Sequence, residues 1–357
     1  MLSYLNYENL QLAIVLLNEA IINELIYEVY ELSNEDRAQV ETKMGLSVGA
    51  EGISTETLAM WKSITNEELG ITAEIRLLID NHINELPEVE FDGDRKRELI
   101  ESFTTLYQSN NDLEEFCIRN KVNPLDICLW FKESKILPQA RTSEIALEFL
   151  ADAIRTLLMK DEDGIIPLVG LPGEPCLLDR LEQHCLSQGF TSAQFMQLDS
   201  LLGRPLNEYI ENHFFKQLSD HLNLFMYLPK TPFIWHLSSG EHHGFEAYII
   251  IYKWSRDNLY NLKTNYLNKR IEKLEYRQIE IAESTTAQAQ SEKEKIRLQL
   301  QEIALFTKKV DELISEGYNP ILDDGVGKNI APLQKKGMLR AEVLKATQLE
   351  KYLNADW

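Results

Sequence analysis

The sequence predicts a mainly α protein: one or more helical domains, one β-hairpin, and a long antiparallel, coiled-coil-like helical hairpin. Three observations carry this expectation. Apolar residues recur every three or four positions through most of the chain, the spacing that gathers side chains on one helix face. One stretch, 232–254, instead collects aromatic and β-branched residues around a glycine-bearing turn. Beyond 257, apolar residues fall at near-heptad intervals on both sides of a polar patch.

Leu10, Ile14, Leu17, Ile21, Leu25 and Val29 place one apolar face on a helix over 1–30. Ser33 with Asp36 is a variant capping box and restarts a helix through Met44. Short helical pieces follow near 55–61 and 66–68, then an amphipathic helix over 71–86 that Pro87 closes. Helical spacing resumes over 98–106 and 112–120, and Asn123 with Pro124 opens another helix through Phe131. Thr142 or Ser143 caps a helix whose inner face is Leu147, Leu150, Ile154 and Leu157. These elements make an acidic helical domain over 1–160. Residues 161–176, with Gly164, Gly170, Pro172, Gly173 and Pro175, read as a linker. A C-terminal α+β domain then occupies 177–357, with the β-hairpin at 232–254 and the helical hairpin at 257–316. In the latter, Leu267, Ile271, Leu274 and Ile281 face Ile296, Leu300, Ile303, Val310 and Ile314 across the polar patch 283–290.

The 357 residues carry a net charge of −21, unevenly placed. Residues 1–250 hold 41 acidic against 18 basic side chains, while 251–357 hold 16 against 18. The first part repels phosphate backbones, so nucleic acid is expected to meet only the last third. No stretch is apolar enough to span a membrane and no leader pattern opens the chain, so a cytoplasmic protein without a membrane partner is expected. The four cysteines form no CxxC pair and read as buried thiols.

Catalytic signatures are missing. There is no GxGxxG, no GxxxxGK[ST], no GxSxG and no HExxH. Asp161, Asp163 and Gly164 are similar to a fragment of a calcium loop, without its terminal Glu. His242 and His243 read as an exposed turn pair, and Ser238, Ser239 and Gly240 as a tight turn rather than a phosphate cradle. Trp235, Phe245, Tyr248, Tyr252 and Trp254 read as the packed face of the hairpin rather than a base-stacking platform.

Residues 228–340 resemble the C-terminal region of BREX-type phage-exclusion and type IIG-like adenine-specific DNA methyltransferases. The resemblance rests on four features in order. They are the strand and turn from Pro232 to Gly240, the aromatic strand at 245–254, the charged helical hairpin at 259–314, and the tail Leu322-Asp323-Asp324-Gly325-Val326 with Asn329-Ile330-Ala331-Pro332-Leu333. Residues 23–32 and 161–168 also look like segments of these enzymes. Such enzymes bind S-adenosylmethionine and hold a flipped adenine with an Asn-Pro-Pro-Tyr motif. Here Asn123-Pro124 and Asn319-Pro320 continue as Leu-Asp and Ile-Leu, and no glycine-rich cofactor motif is present. The resemblance therefore implies a non-catalytic module: no catalytic, cofactor or metal residue in this chain, with S-adenosylmethionine bound by the part not represented here. The partners it implies are a methyltransferase catalytic half or other defence proteins, with duplex DNA a further candidate. Lys253, Arg256, Lys263, Lys269 and Arg270 are the candidate phosphate contacts. The alternative is a free-standing acidic helical adaptor that binds proteins.

Overall fold

The computed structural model describes residues 1–108, 111–224 and 233–354. Pro232 of the expected strand, and 228–232 of the resemblance, lie outside the described residues. The protein is mainly α, with one small antiparallel sheet. Two compact units divide the chain between Glu144 and Ile145.

In the first unit, helices α1 (Leu2–Val29), α2 (Asn34–Met44), α3 (Thr55–Ser63), α4 (Asn66–Leu69), α5 (Ala73–Glu85), α6 (Gly93–Leu106), α7 (Asn111–Asn120) and α8 (Pro124–Ser134) follow one another. The starts were legible. Ser33 and Asp36 form the expected capping box, and Asn123 caps α8 with Pro124 in its first turn. Helix α8 is the centre: every residue from Pro124 to Phe131 is buried, and α1, α3, α6 and α7 pack on it. Phe103, Tyr107, Phe116 and Phe131 form a ring cluster with centroids 5.0–5.8 Å apart, mostly tilted or edge-on, the arrangements aromatic quadrupoles favour. Burying α8 also buries Asp126, which is fully enclosed. Its Oδ1 accepts from the Ser54 amide at 3.2 Å, the Ser54 hydroxyl at 2.5 Å and the Thr57 hydroxyl at 2.6 Å. The carboxylate thus tethers the start of α3 to α8. Burial pushes Asp126 above the ordinary carboxylate value, and the bonds from Ser54 and Thr57 oppose this.

Helix α9 (Gln139–Lys160) contains the boundary between the units and starts a few residues before the expected cap at Thr142 or Ser143. In the second unit β1 (Ile165–Pro167) precedes helices α10 (Leu177–Ser187), α11 (Ser192–Met196), α12 (Leu198–Leu202), α13 (Leu206–Asn212) and α14 (Phe214–Leu224). Strands β2 (Ile234–Ser238) and β3 (Glu246–Ile250) follow. Helices α15 (Arg256–Asn261) and α16 (Asn268–Glu280) are joined by a π-helical stretch, Leu262–Leu267; α17 (Ala287–Ser315), α18 (Val326–Lys335) and α19 (Ala346–Leu353) complete the unit. Arg277 pairs with Glu292 and Lys263 with Asp311, so the long helices α16 and α17 run antiparallel.

The sheet order is β1-β3-β2, all antiparallel, and every residue of the three strands is buried. Ile165 pairs with Ile249, which pairs with Trp235 on the other side. Each outer edge is partly blocked. Strand β1 ends at Pro167, which has no N–H to offer. On the far side of β2, the Ser238 amide donates to Met338 and the Arg340 amide donates to His236. The segment 161–176 is therefore not a spacer in this unit, since it supplies a strand of its sheet. The glycine and proline content that reads as a linker serves a tight turn at Gly164 (φ +72°) and an edge strand instead.

The Asp126 tether generates a contrast between two substitutions. Asp126→Ala orphans three buried donors and is expected to destabilise the protein by about 3 kcal/mol. Asp126→Asn keeps the accepting Oδ1 but places an amide NH2 where Oδ2 has no hydrogen-bond partner. Its cost is expected to be smaller, about 1–2 kcal/mol, as read by urea denaturation. Equal losses for the two variants would contradict the tether.

Candidate functional site

The polar side chains of the second unit converge on the hairpin turn 239–244. The turn offers its amides to an anion, and the protein supplies that anion itself. Glu302 on α17 accepts from the His242 amide at 2.8 Å and from the Gly244 amide at 3.2 Å, with the Ser239 hydroxyl 3.4 Å away. On the same helix Gln299 donates to the His242 and His243 carbonyls, and Arg270 of α16 donates to the Gly244 carbonyl at 2.9 Å. Gly244 is required by this closeness: a Cβ there would stand 2.6 Å from the Gln299 carbonyl. The turn is a tight one, as expected, and its cradle holds a glutamate that the sequence reading did not connect to it.

Beneath the turn lies Glu246, the first residue of β3 and only 3% exposed. The Ser238 hydroxyl donates to it at 2.9 Å, and His243 Nδ1 stands 3.0 Å from its Oε2. His236 Nε2 and the Arg340 guanidinium are each 3.7 Å away. Burial alone would raise the Glu246 carboxyl, but the imidazoles of His236 and His243 outweigh it and hold the group below the ordinary carboxylate value. Burial drives His236 the other way, below the usual histidine value, because it is fully enclosed and stacked on Tyr248 at 4.5 Å. The Arg340 guanidinium supplies a permanent positive charge beside Glu246. His243 adopts φ +55° to reach it, an uncommon conformation for a residue other than glycine. The expected exposed His pair is thus half engaged: its missing carboxylates, Glu246 and Glu302, come from three and some sixty residues downstream.

A second polar group sits at the entry to β1. Asp161 Oδ1 accepts from the amides of Asp163 and Gly164, and its Oδ2 accepts from Arg180 at 2.7 Å. Asp163 accepts from the Ile165 amide, and the Tyr266 hydroxyl lies 3.0 Å from it. Tyr266 belongs to the π-helical stretch, whose extra residue per turn aims it at β1. The fragment that looks like a calcium loop is therefore a backbone turn locked by an arginine. Among the described residues no cluster of three or more His, Cys, Asp or Glu side chains is placed to hold a metal. Nearby, an open cleft of about 840 Å³ runs along 170–175 and α16. Two of its charged groups are occupied, Glu174 by Arg180 and Lys273 by the Gly170 carbonyl.

The five candidate phosphate contacts do not form one patch of free cations. Lys253 donates to the Asp161 carbonyl, Lys263 pairs with Asp311 at 2.5 Å, and Arg270 is buried against Gly244. Burial pulls Arg270 below the usual guanidinium value. Arg256 is exposed at the start of α15, and Lys269 is half-buried on α16. The aromatic residues behave as a packed face: Trp235, Phe245, Tyr248 and Trp254 are buried, while Tyr252 is 54% exposed. Cys117, Cys128 and Cys185 are buried, and Cys176 is half-buried beside Asp179. No helix among the described residues is long and apolar enough to cross a membrane.

No protein-family model matches the chain. Among curated proteins, the chain is similar to an adenine-specific methyltransferase PglX of Lacticaseibacillus casei (strain Zhang), 29% identical over 137 residues. The match covers 36% of this chain and 11% of that protein, so the chain corresponds to a small fraction of its length. The likeness is distant and links part of this chain to a methyltransferase.

Asp163 carries a pH signature that tests the β1 turn. Burial, with Asp161 beside it, pushes its carboxyl from 3.8 up to about 6, against the bonds from Tyr266 and Ile165. A carboxyl raised by folding favours the folded state at low pH, and that contribution is lost as pH climbs through the folded value. Relative to Asp163→Asn, the melting temperature of the wild-type protein is expected to fall between pH 3.8 and about 6 and then level off. A wild-type protein that gains on the variant across this window would contradict the burial of Asp163.

Proposed function

We propose that this chain acts as a non-catalytic C-terminal module of an adenine-specific DNA methyltransferase of a phage-defence system. In that role it scaffolds DNA recognition or docks other defence proteins. The observation that carries the reading is the distant similarity to PglX in a chain with no Asn-Pro-Pro-Tyr and no glycine-rich cofactor motif. The site geometry is consistent with it. The polar groups around the hairpin are spent on one another: Glu302 fills the amide cradle and Glu246 is enclosed by Ser238, His243 and Arg340. Such a network fixes the turn, strands and long helices in one arrangement, which is what a scaffold requires. S-adenosylmethionine belongs in this reading to a separate catalytic part. Arg256 and Lys269 are the remaining candidates for contact with duplex DNA, Lys253, Lys263 and Arg270 having protein partners.

A second reading is a protein-binding adaptor, favoured by the charge of the first unit. Residues 1–144 hold 27 acidic side chains against 12 basic ones, a surface that attracts cationic proteins and repels phosphate.

One experiment separates the two. The full chain is mixed with a separately expressed methyltransferase catalytic half from the same source, and methyl transfer from labelled S-adenosylmethionine to duplex DNA is followed. Each part alone serves as control. Activity only in the mixture is the expected result, weakened about tenfold at low salt by Arg256→Ala with Lys269→Ala if the module touches phosphate. No association and no gain in activity would remove the module reading and leave the adaptor. Activity from this chain alone would overturn its non-catalytic role.

A further inference from the structure

Helix α1 is apolar on two opposite faces, and only one of them is covered. Ala13, Leu16, Leu17 and Ala20 point into the first unit and are at most 3% exposed. Val15 (59% exposed), Ile22 (54%), Leu25 (47%), Ile26 (44%) and Val29 (78%) do not. At 3.6 residues per turn these five fall within an arc of about 100°, centred about half a turn from the buried face. The stripe runs for about 21 Å, four helical turns. Asn18 falls within the same arc, between Val15 and Ile22, so the unbroken apolar part is Ile22 to Val29. An isolated exposed leucine means nothing, but an apolar stripe on an exposed helix marks a contact surface.

The neighbours of α1 leave this stripe open. Helix α2 has no buried residue. It is held to α1 by the Arg37–Glu24 pair at 3.1 Å and by Arg37 over the Tyr27 ring at 5.4 Å. Asn23 bonds to Ser47 at 2.5 Å. Glu24, Tyr27 and Asn23 all project away from the stripe, toward the covered side of the helix.

Charge decides what fits there. The stripe is flanked on its two sides by exposed Glu19 and Glu28, and no Lys or Arg occurs in the first 36 residues. A second copy laid on the stripe would bring acidic rim against acidic rim across an isologous contact, which is repulsive. A helix with an apolar seam and basic flanks satisfies both the stripe and its rims. We propose that the exposed face of α1 is a docking surface for a cationic amphipathic helix of another protein. The proposal rests on the first unit alone and holds whether or not the chain belongs to a methyltransferase.

The test uses the full chain and two labelled peptides of about three heptads, both with leucine seams. One carries lysine at its flanking positions and the other glutamate. The lysine peptide is expected to bind, to weaken with salt, and to bind at least about tenfold more tightly than the glutamate peptide. The exposed-face double variant Ile22→Ser with Val29→Ser is expected to keep the native circular dichroism and to lose about tenfold in affinity for the lysine peptide. Binding that this variant leaves unchanged would reduce the effect to bulk charge and overturn the proposal. So would the absence of binding by either peptide, or a dimer of the chain in sedimentation that the variant dissolves.

Discussion

A carboxylate enclosed in a sheet must find its counter-charge and donors among groups that the fold itself delivers, and Glu246 sets that requirement for the second unit. It opens the central strand β3, with β1 and β2 on either side. Its partners come from β2 (Ser238, His236), from the turn (His243) and from the segment after α18 (Arg340). An unpaired buried carboxylate costs several kcal/mol, so register, turn conformation and the C-terminal edge are specified together. A slip of β2 by one residue would turn Ser238 to the opposite face and break its bond to Glu246.

The same logic extends outward to the long helices. Glu302, Gln299 and Arg270 hold the backbone of the turn from outside, while Glu246 holds it from within. Residues that are far apart along the chain thus meet on a stretch of six residues. Ile303 and Phe306 on the inner face of α17 are fully buried, so the helix that carries Glu302 is fixed by packing as well as by its polar bonds. The turn that on composition alone suggests an anion site is closed by the protein's own anion.

What the sequence disclosed, and what it withheld, follows from this. Helix caps are local, and Ser33 with Asp36 or Asn123 with Pro124 could be read directly. The aromatic strand and its turn were equally plain, because alternation and a glycine turn are local signals. Strand β1 was not, since three residues, Ile165 to Pro167, carry no periodicity and resemble a linker. Periodicity also could not rank the two apolar faces of α1. Of the residues expected to share one apolar face, Leu25 and Val29 are exposed, whereas Leu16 and Ala20, outside that set, are buried. Of the basic residues chosen as phosphate contacts, Lys253, Lys263 and Arg270 have protein partners. Side-chain charge is visible in a sequence, but the Asp311, Asp161 or Gly244 atoms that consume it are not.

The central claim is that the second unit is organised around the buried strand carrying Glu246. Native-state hydrogen exchange followed by mass spectrometry or NMR tests it directly. The amides of Ala247 and Ile249, in the strand flanked by β1 and β2, are expected to exchange only through global opening of the unit, with the Gly244 and His242 amides protected through Glu302. Exchange of β3 by a local opening while α16 and α17 stay protected would show that the helices, not the strand, hold the unit together, and would contradict the account.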